Sequence, residues 1–412
     1  MRILLIGSGG REHALGRKIK LDDPKTELHC APGNPGLADL GQCHLIESGN
    51  VEGLLDLACS LQPDLVLVGP EDPLTRGLVN LLEENKIRVF GPDQTGSRLE
   101  ASKSFAKGVM AEAGVPTGAF ERFDNVDNAK KALKSWPQRV VIKADGLASG
   151  KGVIVCETHE EAKSALDELS FLDQPLIIEE MLEGPEISLF ALVNGEKIIP
   201  LTTAQDHKRV GEGDVGPNTG GMGAYSPGIL PDGLTEDELV DIGVRPIAKT
   251  MCNRGTPFCG VLFVGFMLTP NGPKVLEYNV RFGDPECQVL MARMKSPLLP
   301  IINGLLSGET ISPVWDDCSA MTVVLASAGY PGAYEKGEPI ELPDTIPSGA
   351  HLIHAGTALE DGMLVTRGGR VINAVGVGET LQDAQAAVYD LAKKVKWSGK
   401  FFRSDIGWQA LK

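Results

Sequence analysis

In Lys274-Val275-Leu276-Glu277-Tyr278-Asn279 a carboxylate and a side-chain amide stand at i and i+2, which on a β-strand puts two hard oxygen donors on one face. Such a pair suits Mg²⁺, which takes one or two protein oxygens and fills its shell with phosphate oxygens and water. Alone, the same two residues also fit a solvated strand face. Arg281 comes next in Arg281-Phe282-Gly283-Asp284-Pro285-Glu286, and a guanidinium there can clamp a carboxylate or phosphate with two parallel hydrogen bonds.

Four other stretches carry chemistry. In Lys143-Ala144-Asp145-Gly146-Leu147-Ala148-Ser149-Gly150-Lys151-Gly152 a lysine at a strand end precedes a glycine-rich hairpin whose N–H groups can meet phosphate oxygens. The spacing is not that of a P-loop, and Gly152 stands where Ser or Thr should hold the metal, so an ordinary hairpin stays open as the alternative. In residues 177–186 the backbone around Glu179, Glu180, Met181 and Leu182 can read an adenine edge, and Glu186 can accept from ribose hydroxyls; a solvated acidic turn is the other reading. Ala204-Gln205-Asp206-His207-Lys208-Arg209 and Gly216-Pro217-Asn218-Thr219-Gly220-Gly221-Met222-Gly223-Ala224-Tyr225 mix charge with phosphate-friendly glycines. With no Ser or Cys nucleophile motif near His207, a catalytic triad is not indicated. The Gly, Asp and Asn content of residues 202–227 predicts a long irregular loop, and loops of that length are usually functional. Finally, Gly7-Ser8-Gly9-Gly10-Arg11-Glu12 turns from an apolar run into a helix whose N-terminus can receive an anion. Glu12 occupies the third position of G-x-G-x-x-G, so the dinucleotide fingerprint is incomplete.

The elements that must position these groups are set by the apolar pattern. Strands over 2–6, 65–68 and 89–90 alternate with helices over 12–20, 51–61 and 77–85, which predicts a doubly wound parallel sheet with ligands at the strand ends. A helix over 103–113 closes at Gly114. A compact unit comes next, with strands over 140–143, 153–156 and 176–180 and a helix over 159–169. Strands over 261–268, 274–278 and 321–326 and a closing helix near 381–394 complete the chain.

At 412 residues the chain is long enough for several domains, and its 49 glycines show no collagen-like period. A formal net charge of −16, with no Lys/Arg run, argues against nucleic-acid or anionic-membrane partners. The eight scattered cysteines form no C-x-x-C pair and read as reduced thiols. The first apolar run is too short for a signal peptide and no stretch reaches membrane-spanning length, so a cytoplasmic protein is expected.

Strand lysine, glycine hairpin, Glu-Glu strand, paired oxygen donors and arginine occur in an order that resembles the ATP-grasp superfamily. Residues 7–15, Gly69-Pro70-Glu71, the loops over 143–152, 204–209 and 216–225, residues 277–286 and His354-Ala355-Gly356-Thr357 narrow the resemblance to the glycinamide ribonucleotide synthetase family. It runs from residue 2 into the C-terminal region. It implies an α/β and α+β multidomain enzyme: an N-terminal doubly wound domain over 1–101, a central ATP-grasp domain over 102–313 with a mobile lid near 123–189, and a small C-terminal α/β domain over 314–412. It also implies ligation of glycine to 5-phosphoribosylamine with ATP and Mg²⁺ or Mn²⁺, through glycyl phosphate, in purine synthesis. The expected partners are those small molecules, with the chain a monomer or weak homodimer lacking the further pathway domains of some relatives.

By motif position, Lys103, Lys143, Gly146, Ser149, Gly150, Lys151 and Gly152 are implied at the ATP phosphates, Glu179, Glu180, Met181 and Leu182 at adenine, and Glu186 at ribose. Glu277 and Asn279 are implied as metal ligands, and Arg281, Asp206 and Lys208 as the groups acting on glycine. Gly9, Gly10, Glu71, Asn218, Thr219, Gly220 and Gly221 are implied at phosphoribosylamine. The strand over 261–268 lacks the carboxylate that many ATP-grasp enzymes place there, which leaves the number of metal ions open. A carboxylase-type relative would lack the patterns over 205–209 and 218–223, and an oxidoreductase would need the third glycine. A non-catalytic nucleotide-binding regulator could dispense with Glu277 or Arg281, and this chain has both.

Overall fold

The computed structural model describes residues 1–147 and 152–411. Ser149, Gly150 and Lys151 lie outside the described residues. The first sheet holds β1 (Arg2–Gly7), β2 (Glu27–Pro32), β3 (Gln42–Cys43), β4 (Leu65–Val68) and β5 (Val89–Phe90), all parallel in the order β3-β2-β1-β4-β5. Ile3 and Leu5 enter one core and Leu4 and Ile6 another, so both faces of β1 are covered, as a parallel sheet requires. The order reverses between β1 and β4, which leaves a crevice at Gly7 and Val68.

The next unit is a separate antiparallel sheet of β6 (Phe120–Phe123), β7 (Val140–Ala144), β8 (Val153–Cys156) and β9 (Leu176–Glu180), ordered β6-β9-β7-β8. It packs with helix His159–Ser170 around its own small core, including Ile142, Leu166 and Ile178.

The largest sheet contains β10 (Glu186–Asn194) and β11 (Lys197–Asp206), then, past the hairpin of β12 (Arg209–Gly211) and β13 (Val215–Asn218), β14 (Gly223–Ser226). It continues with β15 (Cys259–Thr269), β16 (Gly272–Asn279), β17 (Ser319–Ser327) and β18 (Ala350–His354). The separate hairpin of β19 (Thr357–Glu360) and β20 (Met363–Thr366) precedes β21 (Arg370–Gly378), and β22 (Lys400–Phe401) pairs with β17. The order is β16-β15-β10-β11-β14-β17-β21-β18, so the C-terminal strands extend the central sheet without a break at residue 314.

The long loop expected over 202–227 is mostly strand. Gln205 and Asp206 pair with Tyr225 and Ala224, and β14 pairs with β17 about a hundred residues later. Gly223 marks a close backbone approach, since a Cβ there would lie 2.6 Å from Thr322 O. Among the described residues no helix is long and apolar enough to cross a membrane. The eight cysteines are free thiols.

Candidate active site

On the lid sheet, the buried Glu179 carboxylate is held between two lysines. Lys107 Nζ donates to Glu179 Oε1 at 2.6 Å, and Lys143 Nζ lies 2.6 Å from Oε2. Lys107 also donates to Thr117 Oγ1 at 2.6 Å, and burial draws its ammonium down to about 8, against the pull of Glu179. Lys103, one helical turn before Lys107, donates to Gly146 O at 2.9 Å. Asp145 accepts from Ser104 N–H at 2.6 Å, which ties the hairpin to the start of helix Lys103–Ala113. Glu180 accepts from Ala119 N–H at 3.0 Å and from Lys274, and Met181 and Leu182 are half-buried beyond it.

The opposite wall lies towards one end of the central sheet, where the start of β10, the end of β11 and the end of β16, across β15, carry Glu186, Asp206 and Glu277. In β16, Gly265 of the neighbouring strand pairs with Glu277 and Phe266 with Val275, so Leu276 is an extra residue. That bulge lies just before Glu277 and re-aims the end of the strand. Lys208 Nζ stands 2.7 Å from Glu186 and 4.0 Å from Glu277. Glu186 and Glu277 keep 42% and 43% of their side-chain surface, so the cluster opens to solvent. Against the cost of burial, Lys208, Lys143, Lys103 and Arg281 hold the Glu277 carboxyl below its ordinary value. Asp206 goes the other way. Burial, opposed by Lys208 and reinforced by Glu286, Glu186 and Glu277, pushes its carboxyl up to about 8.

Arg281 connects this wall to the N-terminal sheet. Its guanidinium lies 2.7 Å from Glu100, 3.4 Å from Glu71 and 3.2 Å from Asn279 Oδ1. Gly9 and Gly10 come to the same region by another route. Gly9 N–H donates to Glu12 Oε2 at 2.6 Å, and Arg11 N–H to Asp284 Oδ2 at 3.3 Å. Side chains added at Gly7 and Gly9 would strike Glu12, so the turn's glycines make room for that carboxylate. Gly221, at φ +107°, lies against Pro285, while Arg370 donates to Gly220 O and to Asp284 O. The N-terminal turn and the loop of Asn218, Thr219, Gly220 and Gly221 therefore converge on Asp284.

Sequence reasoning passes over Lys107, Glu100, Arg11, Asp284, Glu286 and Arg370. Lys107 has a signal, its i+4 spacing from Lys103 on a helix. Glu286 lies inside the Arg281–Glu286 motif but receives no role from it; it is buried and accepts from Ser188 Oγ at 3.4 Å. Glu100 and Arg370 meet their partners only across the fold, and Arg11 and Asp284 add distant partners to the local ones, Glu12 and Gln288.

A lysine-bearing antiparallel lid sheet facing a strand with carboxylate and amide oxygens, beside a doubly wound N-terminal sheet, is the layout of an ATP-grasp enzyme. A biotin carboxylase from Campylobacter jejuni, solved as a β-γ-ATP complex, shares that fold with a TM-score of 0.73 at 17% identity, over 97% of this chain and 92% of that one. Three domain models of phosphoribosylglycinamide synthetase match in sequence order, the N domain at residues 1–100, the ATP-grasp domain at 101–287 and the C domain at 320–409. The chain is 46% identical to the phosphoribosylamine–glycine ligase of Rhizobium meliloti over 420 aligned positions, covering 100% of this chain and 99% of the relative. It superposes on the crystal structure of the Thermotoga maritima ligase with a TM-score of 0.87 at 35% identity, over 98% of this chain and 100% of that one. The chain belongs to the phosphoribosylamine–glycine ligase family.

Proposed function

We propose that the chain ligates glycine to 5-phosphoribosylamine with ATP, giving glycinamide ribonucleotide, ADP and phosphate in de novo purine biosynthesis. The observation that carries this reading is the Asp206–Lys208–Glu277–Arg281 wall, which lies opposite the lysine-bearing lid sheet and reaches Glu71 of the N-terminal sheet. A carboxylate is a poor electrophile. Its attack on the γ-phosphorus of ATP expels ADP and leaves an acyl phosphate, and the ribosylamine nitrogen then displaces phosphate as the C–N bond forms. Phosphoryl transfer of this kind depends on positioning and charge neutralisation.

Lys103 and Lys143 face the phosphates, with Gly146 and Gly152 at the base of the hairpin that also carries Ser149, Gly150 and Lys151. Adenine lies along the backbone of Glu179, Glu180, Met181 and Leu182. In the structure Glu186 is paired with Lys208, so ribose binding at Glu186 exchanges that partner. Arg281 and Lys208 neutralise charge on the acyl phosphate. The Asp206 carboxyl, near 8, is suited to take the proton released when the amine attacks. Gly9, Gly10, Glu71, Asn218, Thr219, Gly220 and Gly221 hold the acceptor.

Glu277 and Asn279 fit Mg²⁺ or Mn²⁺: a carboxylate kept ionised and an amide oxygen share one face of β16. Among the described residues no group of three or more His, Cys, Asp or Glu is placed to hold a metal ion; Mg²⁺ in nucleotide sites takes one or two protein oxygens and completes its shell with phosphate oxygens and water. When bound, the ion supplies charge neutralisation at the phosphates. The chain acts on small molecules in the cytoplasm, as a monomer or weak homodimer.

ADP release tests the reading. It requires glycine and phosphoribosylamine together, the latter generated from ribose 5-phosphate and ammonia. Equal ADP release with bicarbonate or another amino acid in place of glycine contradicts it.

A further inference from the structure

His207 separates two residues the ligation uses, yet its own side chain points away from them. Beyond β11 the chain stays paired through this point: His207 N–H donates to Gly223 O at 2.9 Å, and Met222 N–H donates to His207 O at 2.8 Å. Side chains alternate across an extended strand. Asp206 and Lys208 face the cluster of Glu186, Glu277 and Glu286. Gln205 and His207 face the other side, where residues 403–409 lie. There Gln205 Nε2 donates to Gln409 Oε1 at 2.6 Å, and Gly407 N–H donates to His207 Nε2 at 3.1 Å.

The same tail holds the hairpin beyond Lys208. Arg403 has no exposed side-chain surface, pairs with Asp214 and Asp405 at 2.8 Å each, and donates to Arg209 O at 2.9 Å. Gly213 N–H donates to Asp405 at 2.7 Å, while Trp408 and Gln409 each donate to Asp214 at 3.2 Å. From Gln205 to Asp214, the strand edge and the β12–β13 hairpin are thus gripped on the face opposite the chemistry. The hairpin leads directly into Asn218 and the loop after it. Burial and the Arg403 charge draw the His207 imidazole down to about 4, so at neutral pH it is uncharged and its Nε2 remains an acceptor for Gly407.

We infer that residues 403–409 form a positioning strap for glycine activation, with His207 the positioning residue through which the strap sets where Asp206 and Lys208 stand. The inference rests on the ligase reading and adds the C-terminal tail to its active site. His207 touches no substrate; it transmits the placement of the tail to its two neighbours.

The test compares His207→Leu, which fills the space without an acceptor, with His207→Gln, whose Oε1 can accept from Gly407. Glycine kinetics are read from ADP release, and nucleotide affinity from equilibrium binding of a non-hydrolysable ATP analogue. His207→Leu is expected to lower kcat/KM for glycine by about tenfold or more, since sub-ångström misplacement of reacting groups is costly, while the analogue Kd stays within about twofold. His207→Gln is expected to recover most of that loss. Wild-type glycine kinetics in His207→Leu, a parallel loss of nucleotide affinity, or equal impairment of His207→Gln overturns the inference. Should His207→Leu fail to fold, Gln409→Met at an exposed position carries the test. It is expected to lower kcat/KM for glycine about threefold with the Tm kept, and no change overturns the strap. If wild-type ADP release is indifferent to glycine, the ligase reading fails instead.

Discussion

The Arg281 guanidinium lies 2.7 Å from the buried carboxylate of Glu100, a residue 181 positions earlier in the chain. Glu100 also accepts from Val280 N–H at 2.8 Å, so it fixes both the backbone and the side chain at the end of β16. Glu100→Gln keeps an acceptor but removes the charge. Turnover is expected to fall about a hundredfold through misplacement of Arg281, with about 3 kcal/mol of stability lost from breaking a buried pair. Steady-state ADP release and denaturant unfolding measure the two effects, and near-wild-type turnover separates Arg281 from the chemistry.

Asp206 makes the reaction pH-dependent. With its carboxyl pushed up to about 8, the base form grows as pH rises, so kcat/KM for phosphoribosylamine is expected to climb between about pH 7 and 9. Asp206→Asn should flatten that limb. Stability runs the opposite way: folding raises this pKa above its ordinary 3.8, so the group's stabilising contribution is full below about pH 4 and lost as pH rises through about 8. Asp206→Asn should therefore gain Tm relative to wild type at pH 9 and not at pH 4. An unchanged difference at the two pH values removes Asp206 as the shifted group.

Lys107 shares the Glu179 carboxylate with Lys143, so that Lys143 can exchange Glu179 for phosphate when nucleotide binds. Removing Lys107 leaves a buried carboxylate with Lys143 as its remaining lysine partner. In Lys107→Met, ATP is expected to bind about tenfold more weakly, roughly 1.4 kcal/mol, as Lys143 is drawn to Glu179. Isothermal titration with an ATP analogue decides it; unchanged affinity means that Lys143 and Glu179 do not compete with nucleotide.

Much of the architecture is legible in the sequence because its signals are local. The apolar run 65–68 and the apolar triplet 176–178 running into Glu179 and Glu180 give the strands 65–68 and 176–180, and Gly114 ends its helix at positive φ. Residues 202–227 mislead because β12, β13 and β14 are three or four residues long and rich in glycine. What makes β14 a strand is pairing with β17, which no local composition reports. The site divides in the same way. Glu277, Asn279 and Arg281 stand close in sequence and are readable together, whereas Glu100 and Arg370 acquire meaning only from partners far along the chain. The N-terminal turn reads as an anion site, and in the structure the carboxylates of Glu12 and Asp284 already meet its amides.

Glu277 is exposed enough to be replaced without unfolding the protein, so Glu277→Ala isolates its part in metal binding. Turnover is expected to fall by about 10³-fold, several kcal/mol of charge stabilisation, with the Tm nearly unchanged. Chelation of the wild type should stop ADP release, and Mg²⁺ or Mn²⁺ should restore it. Wild-type turnover in Glu277→Ala contradicts the ligand assignment.

The acyl phosphate step is tested most directly by the fate of oxygen. Glycine labelled with ¹⁸O in its carboxylate is converted to product with ATP and phosphoribosylamine, and the released phosphate is analysed by mass spectrometry. Activation through glycyl phosphate transfers one ¹⁸O atom from glycine to each phosphate. Unlabelled phosphate, formed alongside ligated product, contradicts the mechanism proposed for this site.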